Sequence, residues 1–189
     1  MPMGTLSYTT AMPLDGFVAD ADGDFQWAAP NEEIFRFHIE RVGDVSAEVL
    51  GRKTYELMKY WDTEPAGEDW GEQEREFAAL WQGVKLFVAS GSLESADVAD
   101  PRTTLVDRLN LDFLRRIVAD ASGEVEIFGP TVARDAIVGN LVDDYRFFVV
   151  PVTVGGGLAA IPANAKLDLA LVEQRVFSNG TLFVHYKKA

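Results

Sequence analysis

Apolar positions along the chain recur with two periods, one close to two and one close to 3.6. Leu6 to Ala11 alternates as a first strand, and Asp15-Gly16 and Asp22-Gly23 then punctuate a long loop up to Pro30. Asn31 is placed to cap a helix over Glu32 to Arg41, with acids in its first turn and Ile34, Phe35 and His38 at helical spacing. A short apolar strand, Ala47 to Leu50, ends at Gly51. The pattern then predicts a helix over Thr54 to Trp61, an acidic loop over Asp62 to Gly71 and a helix over Glu72 to Trp81. Further strands are expected at Lys85 to Ala89, near Thr103 to Val106, at Glu124 to Phe128 and at Asp144 to Val150. Helices are expected from about Asp112 to Ala119 and over Thr131 to Val138. The Phe- and Val-rich run at Asp144 to Val150 is too apolar for an exposed strand. Beyond Gly155-Gly156-Gly157, the runs Leu169 to Phe177 and Thr181 to Lys187 flank Asn179-Gly180, the strongest short hairpin signal.

Strands and helices alternate through three quarters of the chain before the closing hairpin. The fold class is therefore α/β: a mixed, mostly parallel sheet flanked by helices, with an antiparallel C-terminal edge. Such sheets bind ligands beyond the carboxyl ends of their strands. The loops to read for chemistry are those after Ala11, Leu50, Ala89, Phe128 and Val150.

Composition narrows the function. The chain has 189 residues, 17 Lys and Arg against 30 Asp and Glu, and a formal net charge of −13. A chain of this size buries roughly 70% of its unfolded surface and builds a core without staples; one domain over residues 1–189 is expected. The acidic balance argues against nucleic acid, whose binding depends on Lys and Arg. Cysteine is absent, which removes disulfides, thiolate nucleophiles and Cys-ligated metal. The N-terminus has no basic region ahead of an apolar one, and no run approaches the ~18 apolar residues of a membrane span. A soluble cytoplasmic protein is the expectation.

The loop after Leu50 reads Gly51-Arg52-Lys53-Thr54 and opens a helix. Free N–H groups at a helix start and two adjacent cations favour an anion; a solvated turn with Thr54 as N-cap is the plainer reading. Gly129-Pro130-Thr131 also opens a helix, in ordinary helix grammar. Two such turns in one sheet suit the two phosphates of a dinucleotide, although neither is the G-x-G-x-x-G fingerprint. Ser90-Gly91-Ser92 suits a ribose or phosphate edge, or is a simple turn. Gly155-Gly156-Gly157 marks a bulge, or a close approach to a ligand or partner subunit. Asp20-Ala-Asp22-Gly-Asp24 fails the calcium-loop register, with Phe25 and Asn31 at the Gly and Glu positions. No metal site is expected. His38 lies where it can line a cleft, and His185 reads as structural.

Taken in order, several pieces resemble the dihydrofolate-reductase-like family, in particular the reductase domain of riboflavin biosynthesis. They are Met12 to Ala19, Val49-Leu50-Gly51-Arg52-Lys53-Thr54-Tyr55-Glu56, Val88-Ala89-Ser90, Ile127-Phe128-Gly129-Pro130-Thr131, and Pro151 to Gly157. The resemblance runs from about Leu6 to Tyr186. It implies a three-layer fold that binds NADPH extended along the strand ends. Ala11, Asp15 and Gly16 would border the nicotinamide. Gly51, Arg52, Lys53 and Thr54 would hold the pyrophosphate and 2′-phosphate. Ser90 and Gly91 would lie by the adenosine, and Gly129, Thr131 and Val132 by the central phosphates. Members of the riboflavin-reductase group are commonly dimers, so a homodimer is expected. Many members carry Gly or Ser where this chain has Pro130, which removes one N–H donor. The folate enzymes place one carboxylate on the first helix; here Glu32 and Glu33 are the candidates.

The expected function is an NADPH-dependent reductase of a small heterocyclic or carbonyl substrate, similar to 5-amino-6-(5-phosphoribosylamino)uracil reductase or dihydrofolate reductase. The competing readings are a non-catalytic NADPH- or nucleotide-binding protein that kept the fold, and a dimeric interaction protein. The net charge weighs against a strongly anionic substrate.

Overall fold

The computed structural model describes residues 4–98 and 100–189. Its strands are β1 (Leu6–Pro13), β2 (Phe17–Ala19), β3 (Val45–Gly51), β4 (Lys85–Ala89), β5 (Thr103–Val106), β6 (Glu124–Phe128), β7 (Asp144–Val150), β8 (Leu158–Ala159), β9 (Leu169–Val176) and β10 (Leu182–Lys188). Its helices are α1 (Glu32–Val42), α2 (Arg52–Met58), α3 (Glu72–Trp81), α4 (Leu111–Asp120) and α5 (Pro130–Val138). One eight-stranded sheet runs in the order β5-β4-β3-β6-β1-β7-β10-β9. The first six strands are mutually parallel, and β10 is antiparallel to both neighbours. The α/β class and the antiparallel C-terminal strands stand as the pattern predicts.

Alternation along each strand assigns its two faces. Tyr8, Ala47, Val49, Phe87, Val125, Ile127 and Phe147 pack with Leu114 and Ile117 of α4 and Ala133, Ala136 and Ile137 of α5. The intervening Leu50, Leu86 and Val88 pack with Tyr55, Met58 and Trp81 on the opposite face. Phe148 and Phe183 meet Ile34 and Phe37 of α1 on that same face. Asn31 caps α1 through Oδ1, which accepts the Ile34 N–H at 2.9 Å; Asn110 caps α4 by the same bond from Phe113 at 2.9 Å.

Three expectations need correction. First, α2 begins at Arg52, so Thr54 is its third residue and not its cap. Gly51, extended at φ −83° and ψ 166°, makes the junction without a side-chain bond. A glycine serves nearly as well as Thr at that position. Second, α2 ends at Met58 and the chain tightens into a 3₁₀ turn over Lys59–Asp62. Gln82 holds that turn by donating to the carbonyls of Trp61 and Asp62 at 2.8 and 3.2 Å. Third, the long first loop contains β2, which pairs with β8 in a separate two-stranded sheet. These strands are too short for periodicity to register. No helix among the described residues is long and apolar enough to cross a membrane.

Candidate active site

Parallel pairing brings the predicted loops together. Because β4, β3, β6 and β1 are consecutive parallel neighbours, Ser90-Gly91, Gly51 to Thr54, Gly129 to Val132 and Ala11 to Gly16 follow one another along one edge of the sheet. Gly129 caps α5 at φ 113°, a region that side chains avoid, and a Cβ there would stand 3.2 Å from Thr54 Oγ1. The turns after β3 and β6 are therefore in contact, and Gly51 is 3.9 Å by the same measure from Val132 Cβ. Arg52 and Lys53 are exposed on the first turn of α2. Arg52 lies 3.3 Å from Glu56, one helical turn on, and Lys53 has no ion-pair partner among the described residues. Ser90 is buried, and its Oγ accepts the N–H groups of Ser92 and Leu93 at 3.2 Å each, which shapes the turn and leaves Gly91 exposed.

The remaining members of the row are tied to the second small sheet. Asp15 Oδ2 accepts the N–H groups of Val154 and Gly155 at 3.0 and 2.7 Å, and Gly16 O accepts from Ala160 at 2.9 Å. The triple glycine is explained in part by this docking. Gly157 runs so close to β2 that a Cβ would stand 2.1 Å from the carbonyl oxygen of Ala19. The close approach is to the chain's own backbone. The Asp20-to-Asp24 loop is an Asx turn, with Asp20 Oδ1 accepting from Asp22 and Asp24 at 2.9 Å each.

A cavity of about 340 Å³ adjoins this row, between the sheet and helices α1 to α3. Phe25, Phe35, Leu57, Trp61, Phe77, Phe128 and Phe148 line its walls, and Ala11 joins it to the strand edge. Its polar lining is Thr9, Thr10, Gln26, His38, Arg41, Glu48 and Glu126. His38 packs 4.6 Å from the Phe148 ring centre; burial, and secondarily the charge of Arg41, push it down to about 4. Glu48 is 4% exposed and accepts the Trp81 indole N–H at 3.2 Å. Burial first and the charge of Glu126 second push Glu48 up to about 8. Below the cavity, burial raises Glu124, but two hydrogen bonds from Arg146 at 2.7 and 2.8 Å outweigh it and hold this carboxyl below its ordinary range.

The two acids singled out on the first helix lie elsewhere. Glu33 accepts the Ser178 N–H at 2.8 Å and an Arg175 N–H at 3.4 Å; the Ser178 bond above all holds its carboxyl low. Glu32 lines a second, more open hollow that shares Pro30, Phe35 and Trp61 with the cavity. Sequence reasoning passed over Glu48, Glu126 and Arg41. The available signal was an acid in a strand otherwise built for burial: Glu48 within Val45–Gly51, and Glu124 and Glu126 alternating with Val125 and Ile127.

The RibD C-terminal domain model matches residues 5–183. Among solved structures, a protein of Shewanella sp. PV-4 assigned to riboflavin biosynthesis superposes with a TM-score of 0.72 at 20% identity, covering 98% of this chain and 99% of the other. The Thermotoga maritima diaminohydroxyphosphoribosylaminopyrimidine deaminase/5-amino-6-(5-phosphoribosylamino)uracil reductase gives 0.66 at 16%, over 99% of this chain and 57% of that one. Enterococcus faecalis dihydrofolate reductase, complexed with NADP(H) and RAB-propyl, gives 0.63 at 14%, over 98% and 97%. At these identities the structural likeness concerns the fold. No curated protein matches the chain.

Proposed function

Since the chain belongs to the RibD C-terminal domain family, we propose that it is an NADPH-dependent reductase of a small heterocyclic or carbonyl substrate. The observation that carries this reading is the unbroken row of four turns along the strand edge, which ends at Ala11 on the wall of the aromatic cavity. The row fits an extended dinucleotide. Gly91 and Gly51 leave the backbone open to close approach, and Gly129 holds a φ that keeps the α5 start clear beside Thr54. Arg52 and Lys53 supply positive charge at the phosphates, with the N–H groups of Thr131 and Val132 at the start of α5. Asp15 and Gly16, fixed against residues 154–160, would border the nicotinamide with Ala11. When bound, NADPH supplies a hydride; the chain supplies orientation, exclusion of water and a proton. The substrate lies in the cavity, its plane against Phe35, Trp61 or Phe148.

The test is a fluorescence titration with NADPH followed by a turnover screen over pterins, aminouracils and small carbonyls. Absence of NADPH binding overturns the reading. Binding without turnover of any of these compounds would favour a nucleotide-binding protein that kept the fold.

A homodimer is part of this reading. Phe147 and Phe148 of β7 are buried within the chain, at 6% and 2% exposure, and offer no surface to a partner. The edge strand β9 instead leaves Leu171 and Val172 half exposed and Val176 at 72%. Sedimentation is expected to give a dimer at micromolar concentration, and Leu171→Lys with Val172→Glu a monomer.

A further inference from the structure

β3 is apolar between Val45 and Gly51 except at Ser46 and Glu48, and Glu48 faces the cavity. The β3–β6 register sets it directly against Glu126, so two carboxyl groups stand side by side on the cavity floor. Their surroundings differ. Arg41 lies 3.5 Å from Glu126 and supplies a counter-charge there. Glu48 receives only the neutral Trp81 N–H, on Oε2. Trp81 cannot swing away, since its ring is fully buried with the Arg102 guanidinium 4.0 Å from its centre. Two adjacent carboxylates in a buried pocket do not both ionise readily. The charge of the pair therefore belongs on Glu126 and the proton on Glu48. With Oε2 occupied as an acceptor, that proton sits on Oε1, which has no hydrogen-bond partner among the described residues.

We propose that Glu48 is the acid of this site: its Oε1–H donates to an acceptor atom of the substrate, a carbonyl oxygen or an imine-type ring nitrogen, and passes its proton to that atom. The inference rests on the reductase reading for its second half. As the substrate carbon gains hydride, the π pair of the C=O or C=N bond moves to the heteroatom and forms the new O–H or N–H bond. The Oε1–H bond breaks, Glu48 is left as a carboxylate, and water reprotonates it. The substrate gains two electrons and the nicotinamide loses two.

The other polar groups of the lining do not fill the role. His38 is held neutral at pH 7 by burial. A guanidinium does not serve as a proton donor in proteins, which sets Arg41 aside; the Gln26 amide has no proton to transfer, and Thr9 and Thr10 are hydroxyls with no adjacent base that acidifies them. Glu32 and Glu33 do not line the cavity. The class of substrate follows: flat enough for aromatic walls, uncharged at the floor and presenting an acceptor there. An anionic group would meet Glu126 and must point to the mouth.

The groups facing Glu48 are Glu126 on β6, His38 and Arg41 on α1, and Arg102 beside Trp81. The experiment uses wild type and Glu48→Gln, which keeps the size and the Trp81 bond and carries an N–H donor at every pH. The probe is quinoxaline, a flat bicycle with two acceptor nitrogens and no group titrating near neutrality, followed by tryptophan quenching. Between about pH 7 and about pH 9, wild-type affinity is expected to fall by about tenfold as the acid is lost, while Glu48→Gln binds equally at both. With a reducible substrate, kcat/KM of wild type falls above about pH 8, and Glu48→Gln loses about a hundredfold or more without that limb. Carbon-13 titration of the Glu48 carboxyl, identified by its loss in Glu48→Gln, is the third readout. Wild-type binding that is flat with pH, or a carboxyl titrating in the ordinary range, overturns the proposal. Failure to bind NADPH overturns the reductase reading alone, because the quinoxaline and carboxyl readouts involve no cofactor.

Discussion

The cofactor reading makes its sharpest demand on Arg52. The 2′-phosphate adds charge at one end of an extended dinucleotide, and a protein of net charge −13 needs a local cation to receive it. Arg52 stands at the first position of α2, exposed, with a guanidinium fork that matches phosphate. Its Glu56 partner at 3.3 Å is on the surface, and such i,i+4 pairs contribute only about 0.3–0.5 kcal/mol, so phosphate displaces it readily. Losing a charge-assisted contact costs about 1.5–3 kcal/mol, or about tenfold to a hundredfold in affinity. Arg52→Ala is expected to weaken NADPH by that factor and leave NADH nearly unchanged, as read by titrating both cofactors against both proteins. Equal loss for the two would move Arg52 to the pyrophosphate. Glu56→Gln is expected to tighten NADPH slightly, since it removes the competing carboxylate.

At the scale of elements, the cavity depends on how the loop after β1 is fastened. β2 and β8 pair with a shift in register, and Gly157 lets the two backbones meet. Gly157→Ala would force a Cβ to within 2.1 Å of the Ala19 oxygen at φ 133°, whereas Gly155→Ala at φ 80° has nothing within 4 Å. The second change should cost the about 1–2 kcal/mol of a left-handed residue. The first should cost distinctly more and unpin Asp15 as well, with a larger drop in urea midpoint and weaker cofactor binding. This pairing also marks where the sequence stops being legible. The long strands, the helix capped at Asn31 and the hairpin at Asn179-Gly180 each carry a local signal that the fold obeys, whereas the cap of α4 at Asn110 emerges only in the structure. The loops after β1, β3, β4 and β6 were marked by glycine, and parallel pairing put them in one row. Strands of two or three residues have no period, and their partners lie about 140 residues apart, so β2 and β8 left no trace. Glu48 was missed for a related reason. Alternation says that a residue at this position is buried, but only the β3–β6 register says which acid stands beside it.

Over the whole molecule, two buried groups tilt stability with pH in opposite directions. His38 titrates at about 4 when folded and 6.5 when not. Between those values the unfolded chain binds the extra proton, so stability rises with pH and levels off above 6.5. Glu48 titrates at about 8 when folded against 4.5 unfolded. There the folded chain holds the extra proton, so its contribution is complete below 4.5 and is lost as pH rises through 8. From 4.5 to 6.5 the two slopes oppose and nearly cancel. From 6.5 to 8 Glu48 acts without that offset, and at about 1.4 kcal/mol per pH unit wild type should lose about 2 kcal/mol. On the acid side, Glu124 and Glu33, both held low by their partners, lose their contributions as pH falls below the ordinary carboxylate range, in the same direction as His38. The expected curve is a plateau between about pH 5 and 6.5 with a fall on each side. Denaturant melts of three proteins separate the causes. Glu48→Gln should flatten the alkaline fall and, because His38 then acts without an offset, extend the acid fall up to about pH 6.5. His38→Gln should remove the offset, so that stability declines from about pH 5 upward. An alkaline fall of equal size in wild type and Glu48→Gln would place the titrating group elsewhere and return Glu48 to an ordinary carboxylate.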